Sequence, residues 1–197
     1  MSRSPVPARR AMQTRTLVTC AVLAAVSVVL ARFIIPMPNA TTRFSIEAVP
    51  IFLAGMFFGP LPGALVGFLA DAVGTLFSGY GFNPLFCVPP ILYGLCAGLF
   101  RPLLARRTTL GAIALAFLPA VVLGSMLYQS WSLSFVYQAP GARAAGFVYQ
   151  LSRRAVQFSV TYVLDVVIVW ALYRSGVFRA ARLWPPAGAS GKGGPSA

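Results

Sequence analysis

Six apolar segments follow one another along the chain, and they restrict the fold more than any other feature of the sequence. They cover residues 14–33, 46–58, 61–77, 84–104, about 110–137 and about 148–173. Most approach or exceed the roughly 20 residues that an α-helix needs to cross a bilayer. Charged residues make up only 10% of the 197-residue chain, whereas a soluble domain carries about 25%. We therefore expect an all-α integral membrane protein with six transmembrane helices.

The same pattern divides the chain into three parts. Residues 14–174 form the predicted six-helix transmembrane domain, and residues 1–13 precede it as a short cytoplasmic segment. Residues 175–197 end in WPPAGASGKGGPSA, a composition rich in Pro, Gly and Ser that is typical of disordered chain. We expect them to form a flexible cytoplasmic tail.

The positive charges orient the predicted bundle in the plasma membrane. The chain has 16 Lys and Arg against 3 acidic residues, a formal net charge of +13. If the N-terminus is cytoplasmic, eleven of the 16 basic residues fall in cytoplasmic segments and five outside, which agrees with the positive-inside rule. Both termini are then cytoplasmic. The arginines lie at the ends of apolar runs rather than on one polar face, so nucleic-acid binding is not expected.

Enzyme and metal chemistry find little support in the residue types. The chain has no histidine, and its cysteines, Cys20, Cys87 and Cys96, lie inside apolar runs without a C-x-x-C pair. We expect no metal site and no cofactor. The tail sequence GASGKGG lacks the spacing of a phosphate-binding loop. Asp71 and Asp165 lack the GxGD context of intramembrane aspartyl proteases, so the sequence does not predict an enzyme.

A stripe of glycines marks the second and third segments. Gly55, Gly59, Gly63 and Gly67 recur at every fourth residue, and Pro60 follows the second of them. Residues four apart share one face of a helix, and glycine there lets two membrane helices approach closely. The sequence thus predicts a close hairpin of helices two and three with a tight turn at Gly59-Pro60, and we interpret the stripe as a feature of helix packing.

Small residues also form a face on the first helix. The members are Ala21, Ala24, Ala25 and Ser27. Such a face either packs inside the bundle or docks on another membrane subunit.

The three acidic residues all lie in or beside apolar segments, where ionisable groups are costly and usually face a cavity or a partner. Glu47 precedes the second helix and could complement its N-terminus. Asp71 is a candidate for a substrate or partner contact. For Asp165 we expect a structural pairing with a tyrosine or an arginine.

Polar and aromatic residues gather on the predicted outer half of four helices. They could form only the interfacial aromatic belt, but they also suit a pocket for a flat, anionic, hydrogen-bonding molecule. The candidate substrate-binding residues are Arg43, Phe44, Glu47, Asp71, Asn83, Phe86, Tyr128, Trp131, Arg153 and Gln157.

The run RFSIEAVPIFLAGMFFGPLPGALVGFLADAVG resembles the substrate-binding (S) components of energy-coupling factor (ECF) vitamin transporters, most closely those of the folate type. The shared features are an Arg-x-Ser/Phe entry, a proline, a G-x-x-x-GP turn and a G-x-x-x-D helix. They correspond here to Arg43, Phe44, Ser45, Pro50, Gly55, Gly59, Pro60, Gly67 and Asp71. The stretches FNPLF at 82–86, WSLS at 131–134 and LSR at 151–153 are also similar, and the resemblance covers about 17–173.

The resemblance implies a six-helix bundle that captures a vitamin from outside and has no ATPase of its own. Such a component docks on a transmembrane coupling subunit that carries two ATP-binding subunits, and it topples in the bilayer to release its substrate. The small-residue face of helix one would be the docking surface, and the loop at 34–45 an outer gate.

Folate or a related pterin is the expected ligand. A carboxylate, Glu47 or Asp71, would bind the donors of the pterin ring, and Phe44, Phe86, Tyr128 or Trp131 would stack on it. Arg43 and Arg153 would bind the anionic glutamate tail. The alternatives are an S component for another vitamin or for a queuosine precursor and, in different classes, an intramembrane enzyme or a scaffold without ligand.

Overall fold

The protein is a helical bundle, seen here in a computed structural model that describes residues 14–32, 35–36, 43–44, 46–77, 83–180 and 183–184. Its elements, in chain order, are α1 (Thr14–Arg32), β1 (Ile35–Pro36), β2 (Arg43–Phe44), α2 (Ala48–Phe58), α3 (Pro60–Leu76), a 3-10 turn (Pro84–Cys87), α4 (Val88–Leu99), α5 (Arg101–Arg106), α6 (Leu110–Pro119), a π-helix (Ala120–Tyr128), α7 (Gln129–Tyr137), a second 3-10 turn (Pro140–Ala142), α8 (Arg143–Arg174) and α9 (Val177–Ala180). The two short strands pair antiparallel between α1 and α2.

Each of the six predicted apolar segments is helical. Among the described residues, three helical stretches are long and apolar enough to cross a membrane: Thr14–Ala31, Leu110–Tyr137 and Pro140–Arg174. Three shorter apolar helices lie at Ala48–Phe58, Pro60–Leu76 and Pro84–Leu99. The all-α membrane fold is confirmed, and the count of six membrane spans stays a prediction.

Helix α2 lies at the centre of the bundle. All ten residues from Ala48 to Phe57 are buried, as expected of a helix that is apolar on every side. The Phe52 ring stacks on that of Phe117 from α6, with centroids 3.8 Å apart and planes 7° from parallel. Both side chains are fully buried, so α2 forms the interior against which the other helices pack.

The glycine stripe joins three helices rather than two. A methyl group on Gly63 would overlap the backbone of Gly55 and the carbonyl oxygen of Gly94 in α4, and a methyl on Gly98 would overlap Pro60. The predicted close hairpin of α2 and α3 is confirmed, and α4 packs against it through glycines of its own. Gly59 has a φ of 104°, which favours glycine at this turn.

The helical run that begins with α6 changes geometry at its proline. Residues 110–119 are α-helical, and the π-helix begins directly after Pro119. Proline lacks the backbone N–H of an α-helical hydrogen bond and its ring crowds the carbonyl four residues earlier. The altered stretch carries Ser125, and π-helical turns occur frequently at functional sites.

The beginning of the predicted flexible tail is packed instead. Residues 177–180 form α9, and both Phe178 and Trp184 are buried. The Phe178 ring lies 5.0 Å from that of Phe57, and Trp184 Nε1 donates to Thr108 Oγ1 at 3.2 Å. At Phe178 and Trp184, aromatic burial therefore fixes parts of the segment that was predicted to be flexible. Residues 1–13 and 185–197 lie outside the described residues.

Candidate functional site

A cavity of about 450 Å³ lies between α2, α3, α4, the π-helix and α8. Its volume falls within the range of roughly 300–1,000 Å³ that is typical of small-molecule sites. All three acidic residues of the chain line it: Glu47, Asp71 and Asp165. Among the described residues the only basic side chain in its wall is Arg154.

One face of α8 forms a wall of the cavity. Its lining residues are Arg154, Gln157, Phe158, Thr161 and Asp165, a spacing that places them along one side of the helix. At 1.5 Å rise per residue, the eleven residues from Arg154 to Asp165 separate these two positions by about 16 Å along the helix axis. The wall therefore has a cation at one end and a carboxyl group at the other.

Asp165 is buried, with 1% of its surface exposed. Neither of its carboxyl oxygens has a hydrogen-bond partner among the described residues. The predicted pairing with a tyrosine or an arginine is therefore not found among the described residues, none of whose side chains bonds to it. A buried polar group normally has such a partner, because leaving it without one is costly.

Several other polar groups of the cavity have hydrogen-bond partners within the protein. Cys87 Sγ donates to Asp71 Oδ2 at 2.9 Å, which ties α3 to the start of α4. The hydroxyl groups of Tyr93 and Ser125 are hydrogen-bonded at 2.9 Å. Glu47 is half-buried at the N-cap position of α2, and its side chain makes no capping hydrogen bond there; that its charge complements the helix N-terminus stays a prediction.

Four of the ten predicted substrate-binding residues line this cavity: Glu47, Asp71, Phe86 and Gln157. Asn83 instead accepts a hydrogen bond from the backbone N–H of Leu85 at 3.1 Å and caps the first 3-10 turn. Arg43 and Phe44 form β2, and their side chains lie outside the described residues.

The remaining predicted residues lie elsewhere on the bundle. Tyr128 and Trp131 form an aromatic cluster with Phe135, with centroid separations of 6.0 and 5.4 Å, and Trp131 is exposed. This cluster borders a separate surface cleft of about 230 Å³. Arg153 donates to the hydroxyl of Tyr149 at 3.2 Å and does not line the larger cavity.

Sequence reasoning missed several cavity residues, among them Tyr93, Ser125, Arg154 and Asp165. The spacing on α8 is a signal that could have found two of them. Gln157 was a candidate, and positions 154, 161 and 165 share its helical face. No comparable local signal marks Tyr93 and Ser125, which meet only through the packing of α4 against the π-helix.

Comparison with models of known protein families shows the family of this chain. The family model described as "ECF-type riboflavin transporter, S component" matches residues 11–174. The chain belongs to this family. Among curated proteins no match was found.

Solved structures of two S components share the fold. A crystal structure of FolT bound with folic acid superposes with a TM-score of 0.63 at 28% sequence identity, covering 79% of this chain and 92% of FolT. The S component for biotin from an ECF-type ABC transporter superposes with a TM-score of 0.58 at 19% identity, covering 83% and 93% of the two chains. The predicted resemblance and membrane location are confirmed. The family and both neighbours are transporter components rather than enzymes.

The predicted docking residues of this S component point in two directions. Ala21 and Ala25 are exposed on α1, whereas Ala24 and Ser27 are buried. Ser27 Oγ donates to the backbone carbonyl of Glu47 at 2.8 Å, so it fixes α1 to the start of α2. Only Ala21 and Ala25 are thus placed where a second subunit could contact them.

Proposed function

We propose that this S component captures a vitamin with a pteridine-type ring from outside the cell, with folate or a related pterin as the first candidate. The observation that carries the proposal is the polar cavity of about 450 Å³ that gathers every acidic residue of the chain. The matching family model is described by riboflavin, and FolT was crystallised with folic acid. Riboflavin and folate both contain a pteridine ring system, which is the chemistry that the two comparisons share.

The walls of the cavity suit such a ring. Phe86, Tyr93 and Phe158 supply aromatic surface, which packs well on a flat heterocycle. Gln129 and Gln157 add amide groups that both donate and accept hydrogen bonds. A flat molecule with polar edges thus finds both kinds of contact that it needs.

The basic end of the cavity suits an anionic tail. Arg154 lines the cavity about 16 Å along α8 from Asp165, and a guanidinium binds a carboxylate through two parallel hydrogen bonds. In this arrangement the glutamate tail of folate contacts Arg154, whereas the sequence had suggested Arg43 and Arg153. The ring then lies nearer to Asp165.

A queuosine precursor is a second candidate because the cavity contains three carboxyl groups against one guanidinium. The deazaguanine ring of such a precursor carries the same aminopyrimidinone edge as a pterin. It lacks the anionic tail that Arg154 would bind. Titration with such a deazaguanine beside folic acid therefore separates the two ligands.

Transport requires partners that the chain does not contain. We propose that a transmembrane coupling subunit contacts the exposed side of α1 at Ala21 and Ala25, and that two ATP-binding subunits drive uptake. Close approach of helices at small residues supports this docking mode. Both termini of the S component are proposed to be cytoplasmic in the plasma membrane.

Ligand titration of the purified full chain in mild detergent tests the binding step. Folic acid, pterin and riboflavin carry the pteridine system, and biotin serves as the control that lacks it. We expect saturable binding of folic acid and no binding of biotin. Binding of biotin alone, or of none of the four compounds, would contradict the proposal. Uptake of the bound vitamin into vesicles should require ATP and all three kinds of subunit.

A further inference from the structure

Both carboxyl oxygens of Asp165 are buried, and the described part of the protein provides neither of them with a hydrogen bond. The group is 1% exposed, so bulk water does not solvate it freely. Asp71 differs, because it accepts a hydrogen bond from Cys87 at 2.9 Å. Burial without a partner is costly for any polar group. A ligand that supplies the missing donors removes this cost when it binds.

Apart from the amide groups of Gln129 and Gln157 and the guanidinium of Arg154, the cavity walls offer few free hydrogen-bond donors to such a ligand. The hydroxyl groups of Tyr93 and Ser125 bind each other, so only one of their two protons remains available. The hydroxyl of Thr161 donates to the backbone carbonyl of Gln157 at 3.1 Å. Arg154 is about three helical turns from Asp165. These hydroxyl groups thus leave few free donors, whereas both oxygens of Asp165 remain available as acceptors.

We propose that Asp165 binds the two adjacent N–H groups of an aminopyrimidinone edge, namely those of the 2-amino group and of N3. A carboxylate has two oxygens and accepts two parallel N–H bonds in a bidentate contact. This inference rests on the proposed function, and it narrows the range of pteridine ligands that the site accepts. The S component would select 2-amino pteridines over 2-oxo pteridines, and the isoalloxazine ring of riboflavin belongs to the second group.

The physical basis of this selection is the mismatch that an oxygen at position 2 creates. A 2-oxo ring places a carbonyl oxygen opposite one carboxylate oxygen, so two acceptors face each other and one carboxylate oxygen stays without a donor. Sites built to bind a substrate N–H strongly reject an analogue that lacks it, because the buried polar group is then unpaired. Loss of a hydrogen bond to a charged group weakens binding by about 10- to 100-fold.

Pterin and lumazine form a matched pair of probes, since lumazine carries an oxygen where pterin carries the 2-amino group. We expect the purified full chain to bind pterin about 100-fold more tightly than lumazine. In Asp165→Asn the carboxamide offers one acceptor and one donor, so the ratio should fall below about 10-fold. The matched control is Asp71→Asn, the same change at an acid that has its own partner. Asp71→Asn should alter the affinities for pterin and for lumazine by a similar factor, so the ratio of these two affinities should stay as in the wild type.

The outcomes separate the inference from the proposed function. If the wild-type chain binds pterin and lumazine equally, the inference is wrong and the proposed function stands. If Asp71→Asn loses the preference for pterin over lumazine and Asp165→Asn keeps it, Asp71 is the carboxylate that recognises the ring. The inference is then also wrong. If neither pterin, lumazine, folic acid nor riboflavin binds, the proposed function itself fails. The wild-type ratio tests the inference even if a variant does not fold.

Discussion

Gly63 lies where the backbones of three helices meet, and replacing it with alanine tests this packing directly. A Cβ atom at Gly63 would lie 2.5 Å from the Cα of Gly55 and 2.5 Å from the carbonyl oxygen of Gly94. Ordinary van der Waals contact at such positions begins at 3.4 Å, so each neighbour would have to move by close to 1 Å. Both neighbours are backbone atoms, and no change of rotamer can relieve the overlap.

The expected cost follows from two opposing terms. Inserting a methyl group into a well-packed interior costs about 1–3 kcal/mol. Alanine is more favourable than glycine inside a helix by about 0.5–1 kcal/mol. We expect Gly63→Ala to lower the free energy of unfolding by about 1–2 kcal/mol.

Gly74, in the same helix, provides a control for which the free energy of unfolding should change in the opposite direction. A Cβ atom added to Gly74 would meet no atom within 4 Å, so Gly74→Ala should raise the free energy of unfolding by about 0.5–1 kcal/mol. Both variants and the wild type would be unfolded by denaturant in the same detergent, without ligand, and followed by circular dichroism. If Gly63→Ala is as stable as Gly74→Ala, the close contact of α2, α3 and α4 described here is wrong.

Three further predictions concern the ligand, the core and the docking face. Arg154→Gln should weaken the binding of folic acid at least 10-fold and leave the binding of pterin unchanged, because pterin has no anionic tail. The control Arg153→Gln should change the affinity for neither ligand. Titration with folic acid and with pterin measures both variants. Phe117→Ala should lower the free energy of unfolding by about 3–5 kcal/mol, because the buried stack on α2 is lost; denaturant unfolding measures it, and a loss below 1 kcal/mol would contradict the described core. Ala25→Trp, at an exposed position, should keep ligand affinity but reduce ATP-dependent uptake with the partner subunits. Ala24→Trp, at a buried position, should instead reduce the stability of the isolated chain. Equal uptake by the wild type and Ala25→Trp would exclude this docking face.

Helices and their closest neighbours could be predicted from the sequence because the relevant signals are local. Apolar runs mark the helices, and a turn as short as Gly59-Pro60 makes α2 and α3 adjacent. The packing of α4 could not be predicted in this way. Its glycines Gly94 and Gly98 meet α3 only in one antiparallel register, which depends on contacts distant in sequence.

The candidate site was predicted less completely, for a physical reason that α8 illustrates. The sequence indicated the correct part of the helix but not its rotation, and adjacent residues of a helix point about 100° apart. Arg154 lines the cavity, whereas its predicted neighbour Arg153 contacts Tyr149. Asp165 was assigned a structural pairing because buried acids usually have one. Its actual position in the cavity depends on how α8 packs against α2 and the π-helix.

The identity of the bound molecule is the sharpest test of the proposed ligand class. The full chain would be purified in mild detergent, denatured, and the released small molecules identified by mass spectrometry, followed by titration of the ligand-free protein with pterin and biotin. We expect a 2-amino pteridine such as folate to be released in near-stoichiometric amount, or an empty protein to bind pterin. Release of a vitamin without a pteridine ring, or an empty protein that fails to bind pterin, would contradict the proposed ligand class.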